Sequence, residues 1–320
     1  MNDTIKPDNQ TIIKISQSLE QVIFGQSAII QQILIALLTG GHIILEGVPG
    51  TGKTLLLKAL SKLIKADFRR IQLTPDILPS DILGTNVFNI NTGEFTLKKG
   101  PIFTQILLAD EINRTPPKAQ AALLEAMEEQ QFTLDGSTLP LSEFFWVIAT
   151  QNSLEFEGTY PLPEAQLDRF LFKLLIDYPE RSLEKQMLLN FQTTLQGKSI
   201  NLEQLQPQAT IAQILTARQA VQRVTIRENI LDYLLDLVNQ TRQHPDLTLG
   251  ASPRATVMWL RTSKAKAWLS GQDYVTPDDV KNVALPLLRH RLILKPEAQL
   301  EGLTPEEVIP KILQQVPVPR

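Results

Sequence analysis

The sequence predicts an α/β domain built on a parallel sheet, followed by an all-helical domain. Three observations carry this. Short apolar runs alternate with helical patterns up to about residue 178. One of those runs, "HIILEG" (42–47), passes through a glycine-rich turn straight into "KTLLLKALSKLI" (53–64), which has helical spacing. Beyond Tyr178-Pro179, helix patterns follow one another with few strand runs between them. A chain of 320 residues exceeds a comfortable single core, and the expected division is 1–185 for the α/β domain and 186–320 for the helical one.

Taken in order, "SAIIQQILIALLTGG" (27–41) reads as a buried or amphipathic helix over 27–38, stopped by Gly40-Gly41. After the first strand and its helix, "RRIQLT" (69–74), "FTQILLAD" (103–110), "FFWVIATQN" (144–152) and "RFLFKLLID" (169–177) supply four further strands. The run at 103–110 is apolar enough to lie inside a sheet covered on both faces. "TPPKAQAALLEAMEE" (115–129) reads as a helix with proline in its opening turn, where a missing N–H does no harm. Two segments alternate apolar and polar residues about a turn: "NVFNINTGEFTLKKG" (86–100) around Asn-Thr-Gly and "QFTLDGSTLPL" (131–141) around Asp135-Gly136. Both are expected to be hairpins inserted beside helices of the core. Behind a connecting stretch at 192–210, the C-terminal helix patterns open with Ser, Thr or Asp caps or with proline near the first turn.

Composition narrows the function. With 43% hydrophobic and 20% charged residues the chain is ordinary globular protein. A net charge of −3 removes the global basic footprint of a duplex binder, though a local basic stripe stays open. There is no cysteine, which excludes disulfides and thiolate metal sites. The N-terminal "MNDTIKPDNQ" lacks the apolar core of a signal peptide, and residues 27–41, interrupted by Gln31 and Gln32, are too short to cross a bilayer. The reading is a soluble cytoplasmic protein.

The chemistry is carried by four pieces. "GVPGTGKT" (47–54) matches G-x-x-x-x-G-K-S/T between a strand and a helix, the context that motif needs. Its residues Gly47, Val48, Pro49, Gly50, Thr51, Gly52, Lys53 and Thr54 are the candidate nucleotide cradle. Gly50 and Gly52 let backbone N–H groups close around a β-phosphate at the positive end of the helix. Lys53 reaches the β/γ oxygens, and the Thr54 hydroxyl suits Mg²⁺. In "ILLADEINR" (106–114), Asp110 and Glu111 sit where an apolar strand leaves the sheet. Asp110 suits the Mg²⁺ shell and Glu111 the polarisation of an attacking water; alone, such a pair also serves as a helix cap or solvated turn. Asn152 ends a strand and can hold that water or a γ-phosphate oxygen; turn chemistry is the plain alternative. Arg254 in "GASPRAT" (250–256) lies on the first turn of a helix, where a positive charge is unfavourable unless a phosphate or a surface carboxylate compensates it.

These pieces in this order resemble the AAA+ ATPases: Walker A at 47–54, Walker B at 106–111, sensor 1 at Asn152, an arginine finger at Arg169 and sensor 2 at Arg254. The strings "LTPDILPSDILGT" (73–85), "ADEINRTPPKAQAALLEAMEEQQFTLDG" (109–136) and "EGTYPLPEAQLDRFLFK" (157–173) are similar to the MoxR family, over about residues 10–320. "VIFGQ" (22–26), with Phe24 and Gly25, is similar to that family's adenine-pocket segment. One departure is Ser153, where the family commonly has proline.

The resemblance implies a P-loop AAA+ core with inserted hairpins and a helical lid, using ATP and ADP with Mg²⁺. It implies a homo-oligomeric ring, usually hexameric, acting as a chaperone-like remodeller. Partners with a von Willebrand factor A domain and metalloenzyme clients are part of that implication. In such rings Arg169 serves the neighbour's γ-phosphate; the local alternative is a pair with Asp168 or Glu164. Two rival functions stay open at this point. A nucleic-acid motor is one, with "LKKG" (97–100) as its basic feature but no aromatic ladder in either hairpin. A nucleotide-switched scaffold with negligible turnover is the other. His42, His244 and His290 have no ligand spacing.

Overall fold

The computed structural model describes residues 9–91, 93–152, 158–193 and 202–319. The chain enters through α1 (Gln10–Val22) and α2 (Ser27–Thr39) and then forms β1 (Ile43–Gly47), α3 (Lys53–Leu63) and β2 (Phe68–Gln72). A short α4 (Pro79–Leu83) leads into the hairpin β3 (Gly84–Asn89) and β4 (Glu94–Lys99). Then come β5 (Ile106–Asp110), α5 (Pro117–Glu129), the hairpin β6 (Gln131–Leu134) and β7 (Ser137–Pro140), and β8 (Trp146–Gln151). α6 (Glu164–Leu167) and β9 (Phe172–Ile176) complete the α/β part. The remainder is α7 (Arg181–Thr193), α8 (Ile211–Gln222), α9 (Glu228–Gln243), β10 (Leu247–Leu249), α10 (Pro253–Leu269), α11 (Pro277–Leu288), β11 (Ile293–Leu294), α12 (Pro296–Leu300) and α13 (Pro305–Gln315).

The sheet has the order β2-β5-β8-β1-β9 with all four pairings parallel. Its strands divide their side chains between two apolar layers. Ile43, Leu45, Ile106, Leu108, Trp146 and Ile148 join the core formed with α1, α2 and α3. Ile44, Leu107, Ala109, Val147 and Ala149 join the other core, under α5. That period-two split is why the strands read as continuous apolar runs. Parallel pairing brings the C-terminal strand ends to one edge: Gln72 stands beside Asp110, and Glu46 beside Gln151.

The two hairpins stand beside each other, with Asn86 Nδ2 donating to Asp135 Oδ2 at 2.7 Å. Asp135 and Gly136 both have positive φ, 49° and 80°, as a tight turn of that kind requires. Phe88 and Phe95 pair across the first hairpin with centroids 5.2 Å apart, and both are largely exposed.

The C-terminal helices share their core with α1, α2 and α3 instead of forming a detached body. Arg218 of α8 donates to the Leu37 carbonyl at 2.8 Å and lies over the Phe144 ring. Burial lowers its pKa to about 10. The expectation of a purely helical second part needs one amendment, because β10 and β11 pair antiparallel within it. The division expected at 185 falls inside α7, whose Leu183 packs against Gly25 so closely that a Cβ there would collide with it. Ser153 lies outside the described residues.

Candidate functional site: a nucleotide cradle and a separate arginine pair

Strand β1 ends at Gly47, where a Cβ would collide with the backbone carbonyl of Ile176 on β9. The turn therefore starts with a residue that fits the sheet edge and leaves it at once. Gly52, at φ 82°, is the N-cap of α3 and aims that helix's free N–H groups into the loop. Lys53 Nζ donates to the carbonyls of Gly47 and Val48 at 2.5 and 3.3 Å. Burial lowers the Lys53 pKa, and Asp110, Glu111 and Glu46 oppose that shift. The ammonium is thus tethered inside the loop, in the field of three carboxylates.

The loop opens on a cavity of about 430 Å³ lined by Lys53, Thr54, Asp110, Glu111 and Asn152, among others. Of the cradle residues, Gly47, Pro49, Gly50, Thr51 and Gly52 also line it. Val48 contributes through its backbone instead, its carbonyl accepting from both Lys53 and the Thr51 hydroxyl. Asp110 is buried, with Oδ1 accepting from the Thr150 hydroxyl at 2.9 Å and Oδ2 from Arg70 Nε at 2.5 Å. A carboxylate that already holds a guanidinium is an electrostatic seat for a cation. Asp110 and Thr54 are hard oxygen donors, which fits Mg²⁺. Among the described residues no three acidic or histidine side chains converge on one point. Such an ion would therefore complete its shell with phosphate oxygens and water.

Glu111 follows in the left-handed region, φ 61° and ψ 51°, unusual for a residue with a side chain. Its N–H is held by the Thr150 hydroxyl at 3.0 Å, and its carboxylate lies 3.5 Å from Arg114 Nε. Thr150 therefore fixes Asp110 and Glu111 together from the neighbouring strand. A threonine inside a strand has no distinguishing spacing, so the sequence carries no signal for it.

A second cavity, about 670 Å³, adjoins the same loop and includes Phe24, Gln26, Tyr178, Glu184 and Leu188. Phe24 sits where the sequence places it. Gly25 is absent from the lining, and its φ of 75° and tight approach to Leu183 are what glycine serves there. Tyr178, Glu184 and Leu188 come from the segment after β9 and from α7, and nothing in their local pattern announces a pocket.

Arg169 and Arg254 are in neither cavity. They converge on Glu128, in the last turn of α5: Arg169 Nε is 3.2 Å from Oε2 and Arg254 Nη1 is 2.9 Å from Oε1. Neither Asp168 nor Glu164 is the partner of Arg169. Asp168 instead pairs with Arg291 Nε at 2.6 Å and accepts from the Ser252 hydroxyl at 3.4 Å. Arg291 is almost wholly buried and also donates to the carbonyls of Asp168, Phe170, Leu171 and Leu287. His290 hydrogen-bonds the Phe170 carbonyl at 3.1 Å. Ser252 caps α10 and accepts from Ala255 N–H. One buried arginine and one cap thus place Arg169 and Arg254 side by side.

Two family models match. Residues 42–172 match the ATPase family associated with various cellular activities, and residues 239–312 match the AAA lid domain. The chain is 38% identical to chaperone MoxR1 of Mycobacterium tuberculosis, over 94% of this chain and 81% of that one. This chain belongs to the MoxR family of AAA+ ATPases. It is also 30% identical to the protein MoxR of Paracoccus denitrificans, over 94% of each chain, and 47% identical to the uncharacterised YeaC of Bacillus subtilis, over 96% and 94%. A crystal structure of a candidate ATPase from Cytophaga hutchinsonii superposes with a TM-score of 0.89 at 41% identity, covering 98% of this chain and 96% of that one. The MoxR fold read from the sequence is the fold observed, with its two hairpins and its lid. Among the described residues no helix is long and apolar enough to cross a membrane.

Proposed function

We propose that this MoxR protein hydrolyses Mg²⁺-ATP in a ring, most simply a hexamer, in which Arg169 and Arg254 of one protomer complete the cradle of the next. The observation carrying this is the separation of parts: the loop, Asp110, Glu111 and Asn152 share a cavity, while both arginines stand outside it. A phosphoryl-transfer site needs cationic groups at the γ-phosphate, and a neighbouring copy supplies them in this arrangement. On this reading the α/β part, 1–185, holds the nucleotide, and the helical part, 186–320, couples its state to the arginines.

The geometry supports the following roles. Lys53 exchanges its two carbonyl partners for β- and γ-phosphate oxygens. Asp110 and Thr54 would hold Mg²⁺, which would neutralise phosphate charge, and Arg70 would give up its place on Asp110. Glu111 accepts the proton of the attacking water, with Asn152 orienting that water. The adenosine end enters the second cavity against Phe24. Turnover then drives remodelling of protein complexes, which the name of the M. tuberculosis relative supports. Partners with a von Willebrand factor A domain, metalloenzyme clients and a cytoplasmic location belong to the same proposal. The exposed Phe88–Phe95 pair gives the first hairpin an apolar surface suited to protein, and Lys99 lies over Phe103, 5.0 Å from its centroid, which ties up half of the basic feature that a nucleic-acid role would use.

Mixing two inactive variants tests the assembly. Arg169→Ala has a whole cradle and no finger, and Lys53→Ala the reverse. Each alone is expected to lose roughly 10³-fold or more in turnover, and mixed rings to regain part of it in a phosphate-release assay. No recovery, with subunit exchange confirmed by light scattering or fluorescence transfer, overturns action across the boundary.

A further inference from the structure

Glu128 holds the two arginines with one oxygen each: Oε2 faces Arg169 and Oε1 faces Arg254. All three side chains remain about a third exposed, at 36%, 32% and 40%, so water screens the pairs and they can open. Two guanidiniums brought to one oxyanion have their donors aimed at one point, which is also the geometry that grips a phosphate. Arg169 lines a small cavity of about 270 Å³ with Glu125, Glu128 and Glu129, open to solvent beside the pair. Neither guanidinium pairs with Asp168, because Arg291 and Ser252 take that carboxylate. Glu128 is therefore the one acidic side chain shared by both arginines among the described contacts.

We infer that Glu128 is a placeholder for phosphate. In the isolated protomer it keeps Arg169 and Arg254 together and directed outward, and on assembly it yields them to the γ-phosphate held by the next copy. It is a positioning residue, and its carboxylate competes with the anion it stands in for. This rests on the reading that the arginines act across the protomer boundary.

The competition is visible in how ATPase activity per protomer rises with protein concentration. Removing the charge while keeping the shape, in Glu128→Gln, should lower the half-maximal concentration roughly three- to ten-fold, the scale of two screened surface pairs. Saturating turnover should stay within about two-fold. Glu128→Asp, which keeps the charge, should remain near the parent midpoint. Glu129→Gln removes a neighbouring charge from the same helix end and should shift nothing. A loss of general stability would move the thermal midpoint and raise the concentration needed, not lower it. An unchanged or raised midpoint in Glu128→Gln overturns the placeholder, as does an equal shift in Glu129→Gln. Full turnover per protomer in the parent protein, diluted until light scattering shows it solitary, removes the reading across the boundary as well, so the two failures are told apart.

Discussion

The nucleotide cradle and the arginine pair are built by opposite means. The cradle is made of one strand end, one loop and one helix start, all within residues 43–54, and two adjacent strands supply the rest. The arginine pair depends on partners far apart in the chain: Arg254 meets Glu128 at a separation of 126 residues, and Arg291 meets Asp168 at 123. On the proposed reading, binding is local and robust while completion of the site by the arginines is delocalised and sensitive to the lid. The proposed ring would gain from this split, since the groups proposed to respond to a neighbour are those held by long-range contacts.

The two regions separate most visibly at Glu111. Glu111→Gln should lower turnover by roughly 10²- to 10⁴-fold, the usual weight of general-base assistance. Nucleotide affinity, measured by fluorescence titration, should change little, because Lys53 and the loop are untouched. Normal turnover in that variant would take the proton-accepting role away from Glu111 and leave the cradle as a binding site only.

The opposite cut is Arg291→Met, which removes the buried clamp under Asp168 and leaves four carbonyl partners and a carboxylate without it. Breaking one side of a buried pair costs about 3–5 kcal/mol, which denaturant unfolding should show. Concentration-dependent ATPase should fall with it, while nucleotide binding to the folded fraction stays near the parent value. Equal damage to nucleotide affinity would mean that the two regions are one cooperative unit and not two.

Acid should loosen the arginine side by a smaller amount. His42 is buried, accepts from Val147 N–H at Nδ1, and so donates to the Met127 carbonyl through Nε2 at 3.0 Å, one residue before Glu128. Burial is the main cause that lowers its pKa from 6.5 to about 4. His290, on the Phe170 carbonyl, is lowered too, by burial first and then by Arg291. Each protonates more readily unfolded than folded, so its contribution is complete above pH 6.5 and is lost as pH falls below that, for His42 down to about pH 4. For His42 alone the full loss is on the order of 3 kcal/mol. The thermal midpoint should therefore drop between about pH 6.5 and pH 5, before most carboxylates titrate; a flat midpoint across that interval would remove the histidines from this account.

Much of the architecture was legible because it follows from short-range regularities. The five strands, the helix after the loop, both hairpins and the capped C-terminal helices stand within a few residues of where the patterns place them. The passages left unread are those with weak periodicity or few residues: α4, α6 and α12, and the β10–β11 pair made by segments more than forty residues apart. α1 is different, since Ile12, Ile15, Leu19 and Val22 carry a helix signal that a reading from strand to strand passes over. In the site, Lys53, Asp110, Glu111 and Asn152 share one cavity as their order suggests. Arg254 belongs with Arg169 and not with that cavity. Thr150, Tyr178, Glu128 and Arg291 matter only through neighbours that their own segments do not contain.

The phosphate loop and its setting are written in neighbouring residues, because a strand, a glycine turn and a helix N-terminus are fixed by backbone sterics and by the helix's unpaired N–H groups. Tertiary structure alone decided where the arginines point. A guanidinium is placed by whichever oxygen reaches it: Glu128 meets Arg169 within the α/β part, but it meets Arg254, and Asp168 with three backbone carbonyls meets Arg291, only once the helical part has packed onto the sheet.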